Sequence, residues 1–517
     1  MLPALVIYQD FRSGDLISFL KHTFDQSVYP FLNSWFLGLY YCIFGVSIIS
    51  SRVYSLICYF FFLIVLYFLG RKICKRPSAI SGLIPCFFAL TSSIVLIYAA
   101  KSTLELPYLF VAYCTFALYL NTINKPSRNK LIAVSCLMAA GFLIEYGYGI
   151  LMVITLLATH LINNGFKVKS IINKSVAYLF GPFIVLSIIW LSFPFRFVGY
   201  VSKIPFTASS YLKIKLPYKL AGLLYLPTSD VSHYKMFSWE NAVYYFKIIS
   251  NQFSISLIVA LLLLVFFSVS FRDIKNKRTN VFLIYFVVTM ILAFLYPIKS
   301  HRYIISAVPC LWLLAGYQIN NLILKAKKMS LAYRYFLNLF VVLFVFLHVP
   351  SVVNLYKNYP QRLSWEYESK KDHLEVYNFI LSHIDVNKKV VEVGFRDPLL
   401  IQGLTWHILA RPSNKDISYD DLKLRSVPLW NLADDRLYDA KHLVASLREY
   451  LDEKEVDYIV FTEWLGDSTE HGDLRYQKVL AVCRELLNNQ DCYKIVRKKL
   501  FKDIQTEVAI YKANSFY

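Results

Sequence analysis

The chain has 517 residues, 57% of them hydrophobic, and a formal net charge of +21. A soluble globular protein of this length would not be so apolar, and repeated apolar runs of about 17–25 residues mark an integral membrane protein. The charge is uneven: 31 Lys and Arg stand against eight Asp and Glu before Ser351, and 24 against 26 after it. The excess falls in short loops between apolar runs, which excludes a nucleic-acid footprint. The nine cysteines have no metal-ligand spacing and most lie inside apolar runs as small hydrophobes. Cys483 and Cys492 would pair if their domain faces an oxidising compartment.

In chain order, "MLPALVIY" is far too short to cross a bilayer. "SGDLISFLKHTF" reads as an amphipathic helix with Asp15 at its N-terminal end. The aromatic-rich "PFLNSWFLGLYYCIFG" suits a helix at headgroup level. Spans are expected near Val53–Gly70, Ala79–Ala99, Leu106–Ile123, Leu131–Tyr146, Gly149–Ile162, Val176–Phe193, Phe253–Phe271, Val281–Tyr296, Tyr303–Leu324 and Tyr335–Val349, about ten in all. Every second loop is basic: "RKICKRPS", "NKPSRNK", "NNGFKVKSIINK", "FRDIKNKR" and "KAKKM". The positive-inside rule places these five in the cytoplasm. The N-terminal 50 residues, "AAKSTLE", "EYGYG", the long stretch 195–251, "YPIKSHR" and the C-terminal part then face outward. A loop as long as 195–251 is usually functional. After Ser351, "DHLEVYNFILSHI" reads as a helix and "KKVVEVGF" as a strand. "AKHLVASLREYLDEKEVDYIVF" reads as helix then strand, and "CYKIVRKKLF" with "TEVAIYKA" as a closing strand pair. The expected fold class is a polytopic α-helical membrane domain, 1–350, followed by an extracytoplasmic α/β domain, 351–517.

Lys299, His301 and Arg302 break the charge pattern, because they are cations on the outer side. Membrane-flanking cations commonly snorkel to headgroups. The acidic residues sharpen a second reading. Asp10, Asp15, Asp25, Glu105, Glu145, Asp230 and Glu240 all fall on the outer face, and only Asp273 does not. Cations beside carboxylates at the membrane boundary suit chemistry on a phosphate-linked substrate: cations hold the phosphate and a carboxylate removes a proton.

Four segments then resemble a known family. "YPFLNSWFLGLYYCIFGVSIISSRVYSLICYFFFLIVLYFLGRKI" is similar to a Pro-Pro-Leu-Tyr, Phe-Gly, Arg and Gly-Arg pattern. "YAAKSTLELPYLFVAYCTFALYL" resembles an outer loop and span opened by an acidic residue and Pro. "GFLIEYGYGIL" resembles a helix break, and "HRYIISAVPCLWLLAG" an Arg-Tyr-x-x-x-x-x-Pro segment. In this order, across Tyr8 to Val349, they resemble the GT-C glycosyltransferases of the protein O-mannosyltransferase and lipid A aminoarabinose transferase group. Phe11 stands where that family usually has Glu, and Glu145 where it commonly has Lys.

The resemblance implies a membrane enzyme that moves a sugar from a polyprenyl- or dolichyl-phosphate donor to a lipid, glycan or protein acceptor on the outer face. It places the catalytic carboxylate in the first outer loop, where Asp10 fits best by order, with Asp15 and Asp25 as the other candidates. Substrate contacts are expected from Arg302, Lys299, His301, Arg52, Lys101, Glu105 and Tyr303. The partners are the lipid-linked donor, the acceptor and the bilayer. No cofactor is called for, although a divalent metal is compatible with the site, and no nucleotide-binding loop is present. The family has a span ahead of this loop, so a natural start upstream of Met1 is favoured over loss of that span. Two alternatives stay open: a transporter or flippase of lipid-linked sugars, and a non-catalytic member that binds a lipid-linked glycan. A transporter should carry charges within its spans, and these spans hold almost none.

Overall fold

The computed structural model describes residues 2–26, 30–100, 103–123, 126–165, 173–192, 257–272, 276–295, 302–326, 374–394, 424–428, 455–464, 484–488, 492–502 and 506–514, with isolated helical positions elsewhere. The long stretch 195–251, expected to face outward, the expected Tyr335–Val349 span and the segment 429–450 lie largely or wholly outside the described residues. Contacts divide the chain into two units, Asp10–Tyr359 and Met1–Gln9 together with Pro360–Tyr517.

The larger unit is helical. Its elements are α1 (Leu2–Ser13, whose first turns fall in the other unit), α2 (Leu16–Asp25), α3 (Leu32–Phe44), α4 (Ile48–Lys72), α5 (Ala79–Thr91), α6 (Ser93–Ala100) and α7 (Glu105–Thr122). They continue with α8 (Arg128–Ile144), α9 (Tyr146–Asn163), α10 (Lys174–Ser192), α11 (Leu257–Arg272), α12 (Asn280–Leu295), α13 (Arg302–Ile305) and α14 (Val308–Ala326). Nine of the expected spans therefore coincide with helical segments. Among the described residues, one helix alone, α4, is long and apolar enough to cross a membrane, and α5 with α6 would make a second. Several expected spans match apolar helices of only 10–17 described residues, among them parts of α9, α10, α11 and α12, and two more are broken. The expected span Ala79–Ala99 bends by 69° at the α5–α6 break, where the apolar run carries the polar triplet Thr91, Ser92 and Ser93. The expected span Tyr303–Leu324 is divided at Ser306 and Ala307.

The second irregularity is satisfied by a neighbour. In a continuous helix the Ser306 carbonyl would accept from the Cys310 N–H, but that N–H bonds to Ala307 O instead. Ser306 O accepts from the Tyr113 hydroxyl at 2.9 Å, so α7 supplies the missing donor. Pro85 inside α5 likewise removes the N–H that would bond Ser81 O. That carbonyl faces Gly70 of α4 and Gly316 of α14. A Cβ at either glycine would fall 2.2 or 2.6 Å from it. Small residues here let three helices approach closely at that carbonyl.

Around this contact α4 packs on α5 and α7, α7 on α8, α8 on α9 and α10, and α14 on α5, α11 and α12. Aromatic pairs fill the interior: Phe62 lies 5.3 Å from Tyr113, and Phe116 lies 5.1 Å from Tyr285. The outward faces of α4 and α10 expose Phe60, Phe68, Val185, Ile188 and Ile189, the surface a bilayer covers. Near the basic loops, cations donate to backbone carbonyls of other segments. Lys72 Nζ donates to Ala117 O at 2.8 Å, and Arg278 Nη1 to Cys74 O at 3.1 Å.

The second unit holds a five-stranded sheet. Its strands are β1 (Val390–Gly394), β2 (Leu424–Pro428), β3 (Tyr458–Trp464), β4 (Tyr493–Phe501) and β5 (Thr506–Ala513), in the order β2-β1-β3-β5-β4. β1 pairs parallel with both β2 and β3, while β5 runs antiparallel to β3 and β4. Val390, Val391, Ile459, Val460, Val508 and Ile510 form its core. Residues 374–381 are helical. Glu463 of β3 is buried and ion-paired with Arg484, which offsets the cost of desolvating its charge.

Candidate active site

The corner between α1 and α2 is made by local chemistry. Gly14 takes φ +69, a left-handed conformation that a side chain would disfavour, and its N–H closes on Asp10 O at 3.0 Å. The Ser13 hydroxyl donates to the same carbonyl at 3.0 Å. Asp15 then caps α2. Its Oδ1 accepts from Ile17 N at 2.9 Å and Ser18 N at 3.1 Å, and its Oδ2 from the Ser18 hydroxyl at 2.7 Å. These bonds, led by the one from the Ser18 side chain, hold the Asp15 carboxyl below its ordinary value of 3.8.

The reversal turns α2 back so that two turns in, His22 meets Asp10. His22 Nδ1 lies 3.0 Å from both Asp10 oxygens, and both side chains are largely buried, 10% and 6% exposed. An ionised carboxylate has acceptors only, so Nδ1 is the donor. One N–H shared between two oxygens leaves other carboxylate lone pairs for another group. The remaining polar residue on this face, Thr23, accepts from Trp35 Nε1 at 2.9 Å. Rings tie the three helices together: Phe11 to Phe19 at 5.0 Å, Phe19 to Trp35 at 5.0 Å, and Phe31 to Trp35 at 4.4 Å. Trp190 of α10 closes the cluster against Phe31 at 4.3 Å. Behind it, the Tyr54 hydroxyl of α4 donates to Asn33 at 3.1 Å.

The other expected site residues are placed as follows. Asp25 is the last residue of α2, and Arg52 sits half-buried in the first turns of α4. Glu105 opens α7 and is 1% exposed. Arg302 and Tyr303 open α13. Lys101, Lys299 and His301 lie outside the described residues. His22, Thr23 and Trp35 are additions to the expected set. The signal for them is positional, since Phe19, His22 and Thr23 recur at i, i+3 and i+4 along one side of α2. Among the described residues no group of three or more His, Cys, Asp or Glu is placed to hold a metal ion.

Residues 28–193 match the family model for dolichyl-phosphate-mannose-protein mannosyltransferase. The fold is similar to that of ArnT from Cupriavidus metallidurans bound to undecaprenyl phosphate, with TM-score 0.56 at 13% identity, covering 99% of this chain and 93% of that one. The matched segment and the similar fold agree with the resemblance read from the sequence. The apo state of the same ArnT gives TM-score 0.55 at 14% identity, over 98% of this chain and 92% of that one. The archaeal oligosaccharyltransferase AglB from Archaeoglobus fulgidus, solved with an inhibitory peptide and a dolichol-phosphate, gives 0.52 at 12% identity, over 99% and 70%. No curated protein matches the chain. The family match begins after α2, so the Asp10–His22 pair lies ahead of the matched segment.

Proposed function

We propose that this GT-C-like chain transfers a sugar from a polyprenyl-phosphate-linked donor to a hydroxyl or amine acceptor at the outer face of the membrane, by a single inverting displacement. The observation that carries the reading is the buried Asp10 carboxylate, pinned by His22 in a chain with the fold of ArnT. ArnT is bound to undecaprenyl phosphate and AglB is in complex with a dolichol-phosphate, which supports a polyprenyl-phosphate carrier for this chain.

In this mechanism Asp10 accepts the acceptor's proton. The acceptor oxygen or nitrogen bonds to the anomeric carbon as the bond from that carbon to the phosphate oxygen breaks. The electron pair leaves with the polyprenyl phosphate, whose charge is held by cations. His22 keeps the carboxylate from turning, so the lone pair that takes the proton has a fixed direction. The rings of Phe11, Phe19 and Trp35 limit water around the pair.

Arg302 is the proposed phosphate ligand, with Lys299 and His301 as helpers and Tyr303, Arg52, Lys101 and Glu105 as further substrate contacts. A guanidinium holds two phosphate oxygens at once, whereas an ammonium is a point charge. Release of polyprenyl phosphate from a panel of polyprenyl-phosphate sugars, with the purified chain in lipid nanodiscs, tests the reading. Arg302→Lys should lose most of the turnover together with donor affinity, and Arg302→Ala nearly all of it. Parental turnover and affinity in Arg302→Lys would make the cluster a membrane anchor. No release from any donor would sink the function. The C-terminal unit, 351–517, is proposed to lie outside the cytoplasm. A reporter active only in the cytoplasm, fused after Tyr517, should then stay silent.

A further inference from the structure

Among the described residues β4 is the outer strand of the sheet, paired with β5 on one side only. Of its nine residues only Tyr493 and Phe501 at the ends are buried, and the seven between are exposed. Those seven read "KIVRKKL": four cations, no acid and three aliphatics. Ile495, Val496 and Leu500 are 49%, 40% and 43% exposed. Val496 falls at a bulge, where the register jumps from Ile495 to Arg497, and so takes no partner in β5. Lys498 pairs with Glu507 at 2.6 Å and Lys499 with Glu375 at 3.0 Å. Among the described residues Lys494 and Arg497 have no ion pair.

Lysines on an outer strand ordinarily keep other strands away. That use needs no exposed aliphatics, and three of them on a sheet edge work against it. Cations interleaved with short aliphatics, without a carboxylate, match a different surface. Anionic headgroups attract the charges, and the aliphatics enter the boundary just below them. The same chain carries α4, long and apolar enough to cross a membrane, so a bilayer is tethered to β4 at high effective concentration.

We propose that β4 is a membrane-docking strand that binds the surface of an anionic phospholipid bilayer through Lys494 and Arg497, with Ile495, Val496 and Leu500 seated in the interface. The test is amide hydrogen exchange over 493–501 in the full chain, held in nanodiscs of phosphatidylcholine alone or mixed with phosphatidylglycerol. The mixed discs should slow exchange on the open side of β4 several-fold. Salt near 1 M, where screening shrinks to about 3 Å, should remove the difference. The double variant Lys494→Gln, Arg497→Gln should lose the lipid dependence while exchange in β1 and β3 stays parental, which shows that the sheet still folds. A second variant, Leu500→Ser, should weaken the protection without changing its salt dependence. Equal exchange in both discs overturns the proposal. So does protection that follows protein concentration, the sign of edge-to-edge pairing, or protection that appears only on adding an acidic peptide, the sign of strand addition.

Discussion

Asp10 and Asp15 stand at the two ends of one turn, five residues apart, and their surroundings give them opposite uses. Asp15 is exposed, and its oxygens are spent on two backbone N–H groups and the Ser18 hydroxyl. Asp10 is 5% exposed, and its described side-chain contact is a single His22 nitrogen shared by both oxygens. A cap is a local device that stabilises the start of α2. A buried carboxylate is costly wherever it stands unless matched by a partner, so a fold that keeps one has to compensate for it with a second, distant residue. Carboxylates held in that way are where proton chemistry concentrates. The contrast separates a carboxylate that builds the corner from one that the corner has been built around.

The largest effect should come from Asp10→Asn. The amide keeps the size and one acceptor oxygen but takes up no proton, so sugar transfer should fall by a factor of about 10²–10⁴ with expression unchanged. Turnover of the variant in nanodiscs measures it. Near-parental turnover would move the base to Asp25 or Asp15, and parental turnover in all three Asn variants would end the mechanism.

An intermediate effect is expected at His22, and its variants separate holding from reacting. In His22→Asn the side-chain amide nitrogen lies close to the place of Nδ1 and still donates to Asp10. In His22→Phe the ring fills the space with no donor. If His22 orients Asp10, Asn should keep clearly more turnover than Phe, with Phe losing about tenfold, the cost of one net hydrogen bond to a charged group. Thermal unfolding of both variants controls for a loss of packing. Equal turnover in Phe and parental protein would leave His22 a core residue, and an inactive but folded Asn variant would make the imidazole itself the proton acceptor.

The sequence makes one of these carboxylates legible and hides the other. Asp15 is readable because capping is short-range: its partners are two and three residues ahead, in a "SGDLIS" pattern. The Asp10–His22 contact spans twelve residues and depends on the Gly14 turn bringing one helix back on another, which no local period encodes. Helices are legible for a similar reason, as apolar runs, but their breaks are not all so. Ser92 sits in a visible polar triplet, whereas the α13–α14 break at Ser306 relies on Tyr113, 193 residues away, to satisfy it. In the sheet, the alternation of β3, β4 and β5 is readable, but the insertion of β5 between β3 and β4 is a matter of long-range pairing. β2 is not legible in the sequence, since "LRSVP" has little apolar alternation and ends in a proline that suits an outer strand.

The smallest effect belongs to Asp15. Asp15→Ala removes the acceptor for Ile17 N and Ser18 N, so the first turn of α2 should exchange its amides a few-fold faster while sugar transfer stays near parental. The pH dependence gives the sharper reading. The Asp15 carboxyl is held below 3.8, first by the Ser18 hydroxyl and then by the backbone N–H groups. A carboxyl with a lowered value in the folded chain stabilises it at every pH above the unfolded value, and this contribution is lost as pH falls through the folded value. In the parental chain, exchange at the start of α2, corrected for its intrinsic rate, should therefore be flat from neutrality to about pH 4 and rise below it. Asp15→Asn keeps an acceptor oxygen that does not titrate, so its protection should be flat through the same acid range. An acid-dependent loss of α2 protection in Asp15→Asn equal to that of the parent would assign the titration to another group. A loss of turnover in Asp15→Ala as large as that of Asp10→Asn would erase the distinction between the two carboxylates.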